Sequence, residues 1–210
     1  MAGSITITWH GHSCFTLERD GYRLVLDPYE DGSVRGLPRL RLEAEEVLCS
    51  HRHHDHDFTD GVTLTKSHAP SPFTVSHFDI PHDDAGGKLR GMVRVYIFEA
   101  GGLRVAHLGD IGCMPAEAQL DMLKNLDCML IPVGGFFTIN AKNAKVLTDL
   151  TSPRVIVPMH YRGKGFGLPV IGKVTDFTEL FDQVTFSDSS VLTLEADKPA
   201  GVVVLKCPEA

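Results

Sequence analysis

The chain has 210 residues, 43% hydrophobic and 22% charged, which leaves ample apolar material for a core. A formal net charge of -7 and a pI near 5.8 argue against a general binder of nucleic acid or anionic membrane, since such proteins carry a basic footprint. The five cysteines form no C-x-x-C pair and read as reduced thiols, and no stretch approaches the ~20 apolar residues of a membrane span or the pattern of a signal peptide. The expectation is one cytoplasmic domain over residues 1–210.

The first third is strand-like. Ile5 to Trp9 and Cys14 to Glu18 alternate apolar and polar residues, and Asp20-Gly21 is a hairpin signal before Arg23 to Leu26. Residues 30–41, with Gly, Pro and three Arg, read as a loop. Val47-Leu48-Cys49 is expected to be a short buried strand. Residues 68–91 are rich in Pro, Gly, His and Asp and read mostly as loop, with a short strand near Phe73 to Phe78. Val93 to Glu99 alternates, Gly101-Gly102 turns the chain, and Leu103 to Leu108 returns. Pro115 opens a helix expected over Ala116 to Leu126. Cys128 to Val133 and Val155 to Val157 are apolar runs of buried-strand type, with a helix over 141–150 between them. A last helix over 174–182 and a terminal hairpin over 191–206 complete the expected order.

Eleven histidines are the compositional outlier, and four of them stand within residues 51–56, which read His-Arg-His-His-Asp-His. Neutral imidazole is the commonest metal ligand among side chains. Residues i and i+2 of an extended segment project to one side, so His51 and His53 can reach one ion. Asp55 and His56, after a bend, can reach a second. Four ligands from one tight loop would crowd a single ion, so two ions sharing the loop, each with ligands from elsewhere, is the more natural solution. Further ligand-type groups, Asp110 and His160, follow buried strands, where rigid scaffolds place catalytic groups. His68, His77 and His82 all lie in the region where another ligand is needed.

The H-x-H-x-D-H spacing at 51, 53, 55 and 56 resembles the signature of the metallo-β-lactamase fold superfamily. The likeness continues in order over residues 5 to 165. It runs through Trp9-His10-Gly11-His12-Ser13, Leu26-Asp27-Pro28, His82-Asp83-Asp84-Ala85-Gly86-Gly87 with Arg90-Gly91, His107-Leu108-Gly109-Asp110 and Val157-Pro158-Met159-His160-Tyr161. The branch it is most similar to comprises small metal-dependent hydrolases of the ascorbate-6-phosphate lactonase type.

The resemblance implies an α/β fold, a four-layer αββα sandwich of two mixed β-sheets flanked by helices. It implies two divalent ions, Zn2+ before Mn2+ or Fe, with His51, His53 and His82 on the first, Asp55, His56 and His160 on the second, and Asp110 bridging. Motif position favours His82 over His68 or His77. The implied activity is hydrolysis of a small-molecule ester, lactone or phosphorylated metabolite by a hydroxide shared between the ions. Asp55, His12 and Tyr161 are the expected catalytic groups, with Arg90 and the amides near Gly134 and Gly135 as substrate contacts. Asp27 is expected to fix a ligand imidazole or a nearby loop. His54 is expected in the cleft or behind a ligand, and His107 behind a ligand or in the core.

Other chemistries fit less well. A phosphodiesterase or nuclease would want more than the modest basic loop of Arg35, Arg39 and Arg41. A di-iron redox protein of this fold would place a Glu where His53 stands and would need a flavin domain. A small-molecule substrate, no nucleic acid and no membrane partner are therefore expected, with homo-oligomerisation left open.

Overall fold

The computed structural model describes residues 3–66 and 70–209; His68 lies outside the described residues. The chain starts with β1 (Ile5–Gly11), β2 (Cys14–Arg19) and β3 (Tyr22–Leu26), which pair antiparallel in sequence order. Burial along β1 alternates strictly, so Ile5, Ile7 and Trp9 point inward, as the sequence alternation requires. Next come β4 (Leu42–Ala44), β5 (Glu46–Leu48), a 3-10 turn at Thr59–Gly61 and β6 (Val62–Leu64). β5 adds parallel to β3 and closes one edge of a five-stranded sheet. Both β5 and the following Cys49 are half-buried, so the expected buried strand is an edge strand.

The second sheet has seven strands. β7 (Thr74–Pro81), β8 (Met92–Ala100) and β9 (Leu103–His107) run antiparallel; β10 (Cys128–Pro132) and β11 (Val155–Met159) continue parallel to β9. All five positions of both β10 and β11 are buried, because parallel strands here are covered on both faces. The helices α1 (Glu117–Met122), α2 (Ala141–Thr151) and α3 (Thr175–Thr178) pack side by side, α2 in the middle. The Asn140 side chain caps α2 by accepting from the Asn143 amide at 3.0 Å, and Ala144 and Leu147 carry its apolar face into the main core. Both α1 and α3 are shorter than the sequence pattern suggests.

β12 (Val184–Phe186), β13 (Val191–Leu194) and β14 (Gly201–Val204) end the fold. The expected terminal hairpin does not form. β13 pairs with β1 in the first sheet, whereas β14 lies between β11 and β12 in the second. Each strand serves an open edge of a different sheet, so the tail ties the two sheets together. One core then fills the space between the sheets and under the helices. A smaller apolar cluster of Cys14, Val25, Tyr29, Val34, Leu40, Ala44 and Val62 covers the outer face of the first sheet. On that face the covering layer is the 28–41 loop with the two-stranded β4–β6 sheet, rather than α-helices. No helix of the described residues is long and apolar enough to cross a membrane.

Candidate metal centre

The ligand-type residues follow the C-terminal ends of strands at one edge of the sandwich: His12 after β1, Asp27 after β3, residues 50–56 after β5, His82 after β7, Asp110 after β9 and His160 after β11. His12, Asp27 and His160 adopt left-handed backbone conformations (φ 51°, 45° and 52°), which cost energy in non-glycine residues and cluster at functional sites.

Asp27 organises the histidine loop from beneath. Its Oδ1 accepts from the Ser50 amide at 2.6 Å, and its Oδ2 accepts from Ser50 Oγ at 2.6 Å and from His56 Nδ1 at 2.9 Å. Ser50 Oγ in turn lies 2.9 Å from His51 Nδ1. Because Ser50 donates its proton to Asp27, His51 Nδ1 must be the donor to Ser50. Both imidazoles therefore carry their proton on Nδ1 and turn the Nε2 lone pair into the site, the arrangement of a carboxylate-supported metal ligand. Burial opposes ionisation of Asp27, but the surrounding imidazoles outweigh it and hold its carboxyl below the usual range. Burial, with His56 alongside, pushes His51 down to about 3, which leaves a neutral ligand nitrogen.

The side chains from these loops converge. His51, His53 and His82 bring ligand atoms within 4.8 Å of one another, and so do Asp55, His56 and His160 together with His12. Asp110 faces both groups. Its Oδ2 lies 3.0 Å from His160 Nε2, 3.2 Å from His56 Nε2 and 3.8 Å from His82 Nε2. Yet His51 Nε2, His56 Nε2, His160 Nε2 and Asp110 Oδ1 are buried without a hydrogen-bond partner. Each such atom costs about 1–3 kcal/mol if left unsatisfied. Burial opposes charging His56, but Asp110 and Asp27 more than offset it and raise its pKa well above the ordinary value, so the spot between the two carboxylates demands positive charge. Orphaned nitrogens, buried carboxylates and that demand together fit divalent cations.

The centre opens into a cavity of about 390 Å³ whose floor includes His53, Asp55, His82 and Asp110. Ser33, Arg90, Phe137 and Leu168 form its walls, and exposed His54 lies at its mouth. Arg90 sits on a loop built by Asp83, next to ligand-type His82. The Asp83 carboxylate accepts from the amides of Ala85, Gly87, Leu89 and Arg90 at 2.8–2.9 Å. The Arg90 guanidinium lies 5.4 Å from the Phe137 ring centroid. Ser33, Phe137 and Leu168 carry no sequence signal of their own beyond lying in loops 30–41, 134–140 and 161–170.

Four expected site residues are corrected. Tyr161 is buried in the core, its ring centroid 5.5 Å from that of Trp9 and 5.9 Å from that of Phe166, so it cannot touch a substrate. The Gly135 amide donates to the Ile139 carbonyl at 3.2 Å and is not free for an oxyanion. Gly134 serves packing: a Cβ there would lie 2.1 Å from the His160 carbonyl oxygen, so its bareness lets that segment close behind His160. His12 is buried behind Asp55, its Nε2 3.3 Å from Asp55 Oδ2, and does not line the cavity. His107 is a core residue: Nε2 donates to the Ser13 carbonyl at 2.9 Å and Nδ1 accepts from the Gly109 amide at 3.2 Å. His77 is exposed on β7 and outside both ligand groups.

The family model of the β-lactamase superfamily domain matches residues 6–160, the stretch that carries every ligand-type residue from His12 to His160. The chain belongs to the β-lactamase superfamily. It is 31% identical to a UPF0173 protein of Pyrococcus furiosus over 182 residues, 74% of this chain and 82% of that one. It is 26% identical to a UPF0173 metal-dependent hydrolase of Carboxydothermus hydrogenoformans, covering 74% and 84%. A Thermotoga maritima crystal structure, described as a candidate Zn-dependent hydrolase of the metallo-β-lactamase superfamily, superposes with a TM-score of 0.76 at 33% identity, covering 97% of this chain and all of that one. The superfamily's α/β sandwich and its hydrolase character thus apply to this chain.

Proposed function

We propose that the protein is a dinuclear metal-dependent hydrolase acting on a small anionic ester, lactone or phosphorylated metabolite. The observation that carries the reading is the pair of ligand groups meeting at Asp110 on the floor of an open cavity. His51, His53 and His82 would hold one divalent cation; Asp55, His56 and His160 would hold the other, with Asp110 shared. Two such cations, Zn2+ on this donor chemistry with Mn2+ or Fe as alternatives, supply Lewis acidity and activate water at neutral pH.

The chain's own groups do the rest. Asp55 reaches the cavity, and although burial opposes its ionisation, His12 and His56 hold its carboxyl well below the usual range. It is thus an anion at neutral pH, able to orient water and take up its proton. Arg90 is in no ion pair among the described residues, so its charge is available to an anionic substrate group. Phe137 and Leu168 offer an apolar wall and exclude water. One cavity arginine and a net charge of -7 suit a small anion better than a nucleic-acid strand. The lactone option rests on the motif resemblance alone.

The test is metal analysis of the purified protein with a panel of carboxylate-bearing esters, lactones, phosphomonoesters and phosphodiesters. Two metals per chain and hydrolysis of an anionic small ester are expected, with Asp110→Ala losing both. A fully active, two-metal Asp110→Ala protein would sink the scheme, as would a redox-active iron protein with no hydrolysis.

A further inference from the structure

We infer that His12 is itself a ligand of the second cation, completing a five-donor pocket with Asp55, His56, Asp110 and His160. The inference rests on the metal-centre reading above and adds a residue to it.

The backbone around His12 is built to aim its ring. β1 ends in a register shift between Trp9 and Gly11, and His12 then takes a left-handed conformation. Its carbonyl is held from two sides, by the Trp9 indole Nε1 at 3.0 Å and by the His160 amide at 3.3 Å. The imidazole therefore lies against His160, with ring centroids 4.1 Å apart, and 5.2 Å from that of His56.

The residue is 2% exposed, and neither ring nitrogen has a hydrogen-bond partner among the described residues. A buried imidazole that serves only structure satisfies its nitrogens, as His107 does with the Ser13 carbonyl and the Gly109 amide. His12 Nε2 lies 3.3 Å from Asp55 Oδ2 without the alignment of a hydrogen bond. Two donors each about 2.1 Å from one ion, at 90–110° to each other, stand about 3.0–3.4 Å apart. The His12–Asp55 separation of 3.3 Å falls in that range, as do the 3.2 Å and 3.0 Å separations of His56 and His160 from Asp110. One cation at the centre of these four residues and Asp110 gives a partner to one orphaned nitrogen on each of the three histidines.

The consequence is a pair of unlike sites. His51, His53, His82 and Asp110 make a four-donor site of the tetrahedral kind, whereas five protein donors suit an ion that accepts five or six. The second site should then fill first.

The experiment uses the full chain, stripped by chelator and titrated with Co2+ alone, with bound metal and visible absorption followed together. Wild type should bind two Co2+, the tighter one with the weak absorption of a five- or six-coordinate ion. His12→Ala and His12→Gln should both weaken that ion by more than about 100-fold, since losing even an outer-shell partner costs about 10–100-fold. The remaining Co2+ affinity should not change. The glutamine variant keeps a polar side chain that can contact Asp55 but lacks the imidazole lone pair, and it carries the test if the alanine variant fails to fold. Wild-type affinity in His12→Gln would overturn the inference, because His12 would then only position Asp55. Fewer than two Co2+ in the wild type would overturn the metal-centre reading itself.

Discussion

Asp27→Asn removes a charge far from any substrate, yet it should disable the metal centre. Three donors point at the Asp27 carboxylate: the Ser50 amide, Ser50 Oγ and His56 Nδ1. An asparagine amide has one accepting and one donating end. With its NH2 toward Ser50 N, a side-chain donor would face the backbone-fixed Ser50 N–H, so the NH2 must take the Oδ2 position. There Ser50 Oγ can rotate to accept, but His56 must give up its Nδ1 proton and protonate Nε2, the nitrogen aimed at Asp110. An imidazole with its proton on Nε2 cannot ligate through that atom. Outer-shell changes of this kind cost about 10–100-fold in metal affinity, or about 1.4–2.7 kcal/mol. The metal-free protein should lose a further ~1–3 kcal/mol of folding stability from the donor left poorly paired. Competition with a chromophoric chelator measures the first effect and urea unfolding in EDTA the second. Wild-type metal affinity in a folded Asp27→Asn protein would refute the tautomer argument.

Replacing Arg90 with Met keeps the packing against Phe137 but removes the charge; KM for anionic esters should rise at least about tenfold, the equivalent of one charge-assisted contact, while neutral esters are unaffected. Equal losses on both substrate types would assign Arg90 to loop structure instead. Tyr161→Phe should leave kcat and KM unchanged, because the ring is buried and packs against Trp9 and Phe166 in the core; a tenfold fall in kcat would return Tyr161 to the site. His10, bonded to Thr16 Oγ1 at 2.7 Å, has its pKa pushed by burial down to about 4. The unfolded chain therefore binds the extra proton between about pH 6.5 and 4, so the stability His10 contributes is complete above 6.5 and lost as pH falls through that window, with an upper bound of about 3 kcal/mol. His10→Gln, which cannot titrate, should flatten the acid side of the stability profile of the chelator-treated protein; an unchanged slope there would contradict the assignment.

The ligand inventory was legible because metal chemistry demands particular side chains at fixed local spacing, and H-x-H-x-D-H displays four of them in six residues. Strand alternation was equally legible where one face of a sheet is buried, as in β1. The terminal strands were misjudged for a reason that alternation cannot reveal. Two strands close in sequence pair locally by default, but here each pairs into a different sheet, β13 beside β1 and β14 between β11 and β12.

Local chemistry in the sequence thus pointed to a metal-dependent hydrolase and to the candidate ligand residues and most of the strands that carry them. The tertiary structure decided which neighbours of those motifs matter. Tyr161, one residue from a ligand-type histidine, turns into the core, and the Gly134-Gly135 pair packs behind His160. Phe137, on an unmarked loop, faces the cavity. His12, Asp27 and Ser50 converge on the ligands because β1, β3 and β5 end at the same edge of the first sheet. Orientation toward a shared cavity is set by contacts between segments as far apart in the chain as His12 and His160, and no spacing along one segment encodes it.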